Sequence, residues 1–219
     1  MALRGLPMLW LTILLLTGSV THAQPAEVVA GASRARAMIE GIRSRNDNED
    51  LPVFLIDKVS ARLHVYDPSG RFMGDSPILL GAARGDYSVP GIGDRPLAKV
   101  LPHEKTTPAG RFRAERGVNL GGEDIIWVDY DAAVSLHRVR ANNAAERRLQ
   151  RLATPTPLDN RISFGCINVP RAFYERVVDP ALLKGKAMVY ILPEVERVAT
   201  VFGPAFVPAI SKVSRKQDH

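Results

Sequence analysis

The sequence contains a single cysteine, Cys166, among 219 residues. A chain with one thiol cannot form an internal disulfide, so in an oxidising compartment that thiol is either buried and inert or exposed and used. The chain also lacks the cysteine and histidine spacing of a zinc site, the G-x-S-x-G turn of serine hydrolases and any internal repeat. We therefore predict no metal and no cofactor, and look for chemistry at the lone thiol.

Long hydrophobic runs are also scarce, since the chain has only one, from Leu6 to Leu16. Arg4 precedes this run, and Thr21-His22-Ala23 places small residues one and three positions before a cleavage ahead of Gln24. This layout indicates a secretory signal peptide over residues 1–23, and the run is too short for a typical membrane span. We predict an exported chain of the periplasm or cell envelope, with no stable membrane insertion after signal cleavage. An uncleaved anchor is the alternative.

Acidic residues are outnumbered by basic ones, 23 to 29, which gives a formal net charge of +6. In an exported protein this balance fits an anionic envelope polymer or a membrane surface. No aromatic-rich basic motif accompanies the charge, so we predict no nucleic-acid partner. The alternative is a basic surface that only keeps the chain soluble.

The periodicity of apolar residues changes once along the chain. Helical spacing predicts a helix over residues 27–45, and residues 46–50 are a polar break. Short apolar segments between Gly and Pro then predict strands over residues 53–58, 62–67, 71–73, 78–82, 110–114, 124–130, 133–139 and 186–192. Short helices are predicted over 142–152 and 170–178, and a long loop over 84–107.

Together these elements predict a mainly β fold, a sandwich or barrel with a few short helices. We divide the chain into the signal peptide, an N-terminal helix and linker (24–50), one folded domain (51–194) and a C-terminal tail (195–219). The tail includes a weakly predicted helix before Gly203.

The residues around Cys166 favour a nucleophile over a buried structural thiol. Gly165 leaves room for a substrate backbone, while Ser163 and Asn168 add polar groups to an otherwise apolar strand. Free cysteine is nevertheless among the most buried residue types, so the buried thiol is the alternative. Backbone N–H groups around Gly165 and Cys166 are candidate donors to an oxyanion.

A cysteine nucleophile needs a partner that raises its thiolate fraction and moves its proton, and histidine does both. His137 ends an apolar strand just before a basic turn, which makes it the candidate base. His64 lies in mid-strand and is predicted to be structural or at the surface. His103 and His219 are predicted to be exposed.

These motifs, in this order, resemble the L,D-transpeptidase catalytic domain of the YkuD type. That family carries a histidine followed by [Ser/Thr]-His-Gly-Cys-hydrophobic-Asn/Arg, and here His137 is followed by Ser163-Phe164-Gly165-Cys166-Ile167-Asn168. Residues 107–112 resemble its T-P-x-G-x-F stretch, and residues 62–67 resemble its opening R-L-x-V-Y hairpin. The resemblance spans about residues 53–192.

The resemblance implies a YkuD-like β fold and acyl transfer on peptidoglycan stem peptides, in cell-wall assembly and cell shape. Cys166 would attack the carbonyl between the diamino acid and the terminal D-alanine, and an amine acceptor would resolve the thioester. His137 would be the base, oriented by the backbone carbonyl of Arg138. Ser163 would hydrogen-bond in the site or only stabilise the turn, and Asn168 would support the site or cap the next helix.

Two alternatives stay open. With water as the acceptor the enzyme would be an L,D-carboxypeptidase with peptidase activity. A catalytically silent cell-wall-binding protein is the other alternative, motivated by the basic surface and by Phe164, which stands where the family most often has histidine. We interpret Phe164 as shaping the substrate pocket.

The gap between His137 and Ser163 is longer than is usual for the family. Residues 138–161 hold six arginines against two acidic residues. We hypothesise that this insertion is a lid, with Arg147 and Arg148 binding substrate carboxylates; a solvated charged helix is the alternative.

Overall fold

The computed structural model of the chain describes residues 26–206. The predicted signal peptide, residues 1–23, lies outside the described residues, as do positions 207–219 of the predicted tail. Within residues 26–206, no helix has the length and apolar character needed to cross a membrane.

Strands dominate the described part of the chain. They are β1 (Val53–Asp57), β2 (Arg62–Tyr66), β3 (Phe72–Pro77), β4 (Leu80–Gly81), β5 (Gly110–Val118), β6 (Asp124–Asp129), β7 (Val134–Arg138), β8 (Arg161–Ser163), β9 (Ile167–Val169) and β10 (Lys186–Leu192). The helices are α1 (Ala26–Arg43), α2 (Arg148–Ala153), α3 (Arg171–Phe173), α4 (Asp179–Ala181) and α5 (Val198–Phe202), and a π-helical turn (Tyr174–Val178) joins α3 to α4. The prediction of a mainly β fold with a few short helices is confirmed.

Eight strands form one sheet in the order β3-β2-β1-β10-β5-β6-β7-β9, and β4 pairs with β8. Only β1–β10 and β7–β9 pair in parallel within the large sheet. Leu79, just after β3, exchanges two 2.9 Å backbone hydrogen bonds with Asn168 of β9. This bridge joins the two ends of the strand order, so the sheet nearly closes into a barrel.

Both faces of the central strands are buried, which explains the continuous apolar run of β10. Val189 and Ile191 face the main core inside the sheet, with Phe54 and Leu63 of the neighbouring strands. Met188 and Tyr190 face the other side, where α1 covers them through residues such as Ile42. A strand buried on both faces has no need for alternating polar residues.

The segment after β10 belongs to the packed structure as far as it is described. Phe202 of α5 and Phe206 pack against the cluster beneath α1, and the Arg45 guanidinium lies 4.6 Å from the Phe206 ring centre. The helix before Gly203 is therefore present, and residues 198–206 are not a free tail. The division of the chain at residues 50 and 194 stays a prediction.

The predicted helix over residues 142–152 is wrong as a single element. A 3₁₀ turn (Ala144–Glu146), capped by the Asn143 side chain, is followed by Arg147 with a left-handed backbone at φ +51°, and α2 starts only after it. The predicted loop over 84–107 has only short 3₁₀ turns, and the helix predicted over 170–178 runs from α3 through the π-helical turn into α4.

Candidate active site

Pairing between β7 and β9 brings the candidate residues together. The two strands are parallel and place His137 opposite Asn168, with their side chains on the same face of the sheet. Cys166 immediately precedes β9, and Ser163 ends β8. The thiol and the imidazole, 29 positions apart in sequence, therefore meet at one edge of the sheet.

The half-buried Cys166 thiol lies against β7. Its Sγ is 3.5 Å from the Ser135 hydroxyl and 3.6 Å from the backbone carbonyl oxygen of Ala133. Burial raises the pKa of the thiol, but hydrogen bonding to His137 and Ser135 and the charge of His137 outweigh burial, so the pKa lies below its ordinary value of 9.0. A lowered pKa is what a cysteine nucleophile requires.

The His137 ring is held in one tautomer. Its Nδ1 lies 2.8 Å from the backbone carbonyl oxygen of Arg138, the contact that the family resemblance implied. A carbonyl only accepts, so Nδ1 carries the proton and Nε2 is left as the basic nitrogen. Nε2 lies 3.4 Å from the Asn168 side-chain nitrogen.

Asn168 is almost fully buried, at 1% exposure. Its Oδ1 accepts from the Arg148 guanidinium, which can only donate, so its NH₂ group must point to His137 and to the Cys166 carbonyl oxygen. This orientation agrees with an unprotonated Nε2. The alternative that Asn168 caps the next helix is wrong, because its side chain is used here and Pro170 occupies the capping position of α3.

A tight turn presents Cys166. Gly165 has φ +138°, and a Cβ there would lie 2.8 Å from the backbone oxygen of Thr106, so only glycine fits. The Ser163 hydroxyl donates to the Cys166 carbonyl at 2.6 Å and accepts from the Gly165 N–H at 3.1 Å. Ser163 therefore stabilises the turn. The Gly165 N–H is engaged there, which leaves the Cys166 N–H as the candidate oxyanion donor.

Thr107 fixes the same turn from the opposite side. Its hydroxyl donates to the Gly165 carbonyl at 2.8 Å and accepts from the Gly81 N–H at 2.9 Å. Thr107 is fully buried. The stretch of residues 107–112, which the sequence marked by its motif, thus contributes an anchor for the turn that carries Cys166.

Phe164 lies at the surface two positions before Cys166, with 40% of its area exposed. The Lys105 ammonium stands 4.1 Å from the ring centre, a cation–π contact. An apolar ring with an adjacent cation therefore replaces the imidazole that the family motif has at this position.

The Arg138 side chain is not part of the thiol–imidazole pair. Its guanidinium binds Asp124 at 2.9 Å and Glu175 at 3.3 Å, and lies 4.2 Å from the Tyr174 ring centre. Only the backbone carbonyl of Arg138 meets His137.

The structure separates the two arginines of the predicted lid. Arg148, whose side chain is only 14% exposed, pairs with Glu146 and reaches Asn168. Arg147 is exposed, and its side chain makes no ion pair or hydrogen bond to other groups within residues 26–206. Small apolar contacts between Leu152 and Leu79 hold the insertion against the barrel.

The other two histidines of the described residues, His64 and His103, make none of the contacts of this site. His64 is buried, its Nε2 has no hydrogen-bond partner within the described part of the chain, and burial lowers its pKa, all of which fit a structural position. His103 is exposed in a 3₁₀ turn (Pro102–Glu104), and His219 lies outside the described residues.

Sequence reasoning missed two groups that touch the thiol. Ser135 had a usable signal, because it lies two positions before His137 on a strand and must share its face. Nothing in the sequence indicated the contact of the thiol with the Ala133 carbonyl. This contact depends on a left-handed backbone at Ala133 (φ +52°), which alanine rarely adopts.

Comparison with known proteins gave structural similarities only: no family model and no curated protein matches the chain. Among solved structures, the chain is similar to the helical cell shape determining protein Pgp2 (K307A mutant) of Campylobacter jejuni, with a TM-score of 0.46 and 14% identity over 80% of this chain and 61% of that one.

It is also similar to the catalytic domain of an E. faecium L,D-transpeptidase (TM-score 0.38, 16% identity, 65% of this chain and 98% of that one). A third similarity is to Mycobacterium tuberculosis L,D-transpeptidase 1 (TM-score 0.35, 14% identity, 64% and 61%). The chain thus spans about three fifths of the Pgp2 mutant and of the mycobacterial protein, and it resembles L,D-transpeptidase catalytic domains at low identity.

Proposed function

We propose that the chain is a peptidoglycan L,D-transpeptidase, a cysteine acyltransferase that forms a thioester with a stem tetrapeptide. One observation carries the proposal. The only thiol of the chain has a lowered pKa beside His137, whose Nδ1 is held at the Arg138 carbonyl so that Nε2 is the basic nitrogen. This pair suits nucleophilic acyl transfer.

In the proposed reaction, Nε2 of His137 takes the thiol proton and the Cys166 sulfur attacks the carbonyl between the diamino acid and D-alanine. The Cys166 N–H is the candidate donor to the resulting oxyanion. The carbon–nitrogen bond then breaks, His137 returns the proton to the leaving D-alanine amine, and a thioester remains. An acceptor amine loses a proton to His137, attacks the thioester and releases the thiol.

The surrounding residues would hold this pair in place. Ser163, Gly165 and Thr107 would fix the turn that carries the sulfur, and Asn168 would orient the imidazole. Arg148, rather than Arg147, is the arginine whose contacts support a role at the site, and Phe164 with Lys105 would form one wall of the substrate groove. Residues 51–194 would make up the catalytic domain of an exported protein acting in the cell envelope.

The test is whole-protein mass spectrometry with a disaccharide tetrapeptide. We expect release of D-alanine and a transient adduct on Cys166, both absent in Cys166→Ala. His137→Ala should slow adduct formation roughly 10²–10⁴-fold, the usual contribution of a general base. Binding without adduct or D-alanine release would contradict the proposal and support a cell-wall-binding protein.

Adding an amine acceptor separates the two enzymatic outcomes. A cross-linked product that grows with acceptor concentration supports transfer. If the thioester is resolved only by water, the chain is an L,D-carboxypeptidase and the transferase proposal is wrong, although the same thiol and imidazole do the chemistry.

A further inference from the structure

Two aromatic residues, Trp127 and Tyr130, lie next to each other on the sheet close to the thiol. The Trp127 and Tyr130 rings meet edge to face, with centres 5.2 Å apart and planes at 61°. A Cβ on Gly117 of the neighbouring strand would lie 2.6 Å from the indole, so the indole rests directly on the glycine backbone. Tyr130 is 77% exposed at a hairpin tip. We call this pair the aromatic shelf.

A cavity of about 340 Å³ lies beside the shelf, bounded also by Arg113, Glu115 and Arg116. Each of these charged groups already has a partner of opposite sign: Glu49 for Arg113, Lys186 for Glu115 and Asp179 for Arg116. The cavity therefore offers hydrogen-bonding groups without an uncompensated charge. Such a lining favours a neutral ligand rich in hydroxyl groups over a charged peptide.

Strand register places the shelf beside the nucleophile. Glu115, Trp127 and Ser135 are paired across β5, β6 and β7, so their side chains share one face. Paired residues have Cβ atoms about 5 Å apart, and the Ser135 hydroxyl is 3.5 Å from the Cys166 sulfur. The shelf thus begins within about 10 Å of the thiol, since the sum of these steps and of the side-chain bonds between them is an upper limit.

We propose that the aromatic shelf binds a sugar ring of the glycan strand to which the stem peptide is attached. This inference rests on the proposed function and adds a glycan subsite to it. The apolar C–H face of a pyranose packs on an aromatic ring, and its hydroxyls reach the charged rim. Three stem residues between sugar and scissile bond span roughly 10 Å when extended, which is enough to reach from the shelf to the thiol.

Binding can be measured without turnover. Trp10 and Trp127 are the only tryptophans, so Trp10→Phe in the full chain makes Trp127 the single reporter. We titrate this chain, with Cys166→Ser added, with the tetramer of β-1,4-linked N-acetylglucosamine. We expect a saturable change in emission, with a Kd raised about tenfold by Tyr130→Ala. Phe72→Ala removes another exposed aromatic residue from β3, five strands away in the strand order of the sheet, and should leave the Kd unchanged.

An emission that does not respond to the saccharide would overturn the proposal, as would an equal Kd in Tyr130→Ala. The same holds if a free tetrapeptide displaces the saccharide and itself titrates the shelf, because the occupant would then be peptide.

A kinetic measurement on the active chain gives a second, independent readout. We expect a lower KM for a disaccharide tetrapeptide than for the same tetrapeptide without sugar, and a preference about tenfold smaller in Tyr130→Ala. Equal KM values for the two substrates would contradict the shelf. If neither substrate is turned over, the proposed function fails, while the saccharide titration still decides whether the shelf binds sugar.

Discussion

The Cys166 side chain combines two opposing influences on its ionisation. Burial disfavours the thiolate, whereas His137 and Ser135, both on β7, stabilise it, and their combined effect is the larger. The thiolate of Cys166 is therefore stabilised by side chains of the neighbouring strand β7. Substitution of His137 or Ser135 is expected to change the pKa of the thiol.

Alkylation by iodoacetamide tests this directly, since Cys166 is the only thiol. Because its pKa is lowered, we expect the alkylation rate to rise with pH through a midpoint below 9.0. His137→Ala removes the main stabilising group and should move the midpoint upward. Ser135→Ala should move it in the same direction by less. A midpoint unaffected by His137→Ala would show that the imidazole does not act on the thiol.

Gly165 is a second position near the thiol, where adding a single Cβ atom is expected to destabilise the fold. We expect Gly165→Ala to lower the free energy of unfolding by about 1–3 kcal/mol, because the left-handed backbone is strained for alanine and the new Cβ meets the Thr106 carbonyl. Gly122→Ala is the matched control, with φ +77° but nothing within 4 Å of its Cβ. Chemical denaturation measures both.

Gly165→Ala should also slow Cys166 alkylation, because the turn that aims the sulfur is displaced, whereas Gly122→Ala should not. Equal losses of stability in the two variants would mean that the close approach to Thr106 has no energetic consequence.

Residue type alone was enough to predict Cys166 and His137 as a candidate pair, which the structure brings together, because few side chains can act as nucleophile or base. Residue type could not predict the contacts of Asn168, because its partners Arg148 and His137 are 20 and 31 positions away in the sequence. For Ser163 the sequence left two alternatives, a hydrogen bond in the site or stabilisation of the turn. It could not decide between them, because both use the same hydroxyl.

Between elements, the contact of α2 with β9 is the one that bears most on the site. Arg148 extends from the start of α2 to Asn168, which in turn faces His137. The insertion therefore acts on the imidazole through an amide whose orientation it determines.

Reversing the charge of Arg148 and of Arg147 in two separate variants tests which of the two arginines acts on the site. Arg148→Glu removes the donor to Asn168 Oδ1 and favours a flipped amide, whose oxygen faces His137 and favours the tautomer with the proton on Nε2, which cannot take the thiol proton. We expect turnover to fall roughly tenfold or more. Arg147→Glu makes the same charge change one position earlier, where the side chain is exposed, and should have a much smaller effect.

Steady-state kinetics on a tetrapeptide substrate distinguish the mechanisms. A change confined to kcat supports action through Asn168, whereas a change confined to KM supports direct binding of a substrate carboxylate. Equal effects of the two substitutions would contradict the orientation argument.

Most strands could be placed from sequence because alternation and Gly or Pro punctuation mark them locally. The parallel pairings β1–β10 and β7–β9 could not, since nothing local specifies a partner that lies far along the chain. The break at Arg147 was missed for a different reason. Its residues suit a continuous helix, and the left-handed backbone follows from packing of the insertion.

At the scale of the whole described fold, the buried ammonium of Lys58 links the loop of residues 84–107, the segment after β10 and Thr107, which contacts the turn that carries Cys166. Lys58 is fully buried, and its ammonium donates to Asp86 at 2.6 Å and to the backbone carbonyls of Gly85 and Thr107. Asp86 also accepts backbone N–H groups of residues 194–196. Burial raises the pKa of Asp86, but Lys58 and these N–H groups hold it below its ordinary value.

We expect Lys58→Met to lower the free energy of unfolding by about 3–5 kcal/mol, because it leaves the Asp86 carboxylate buried without its cation. Arg71→Met is the control, since it breaks an exposed pair with Asp67 worth about 1 kcal/mol or less. Urea denaturation measures both. Similar losses would show that the buried network contributes no more than a surface pair. Because Lys58 holds Thr107, the variant should also slow Cys166 alkylation under native conditions.

The position of β10 has a consequence for how the molecule is made. This strand is formed near the end of the described chain, yet it lies between β1 and β5 at the middle of the sheet. A nascent chain of 185 residues has the strands β3-β2-β1 and β5-β6-β7-β9, whose backbones can bridge only between Leu79 and Asn168, because β10 is not yet present. We therefore expect the sheet to form only after β10 has been synthesised, with docking of this strand limiting the rate of folding.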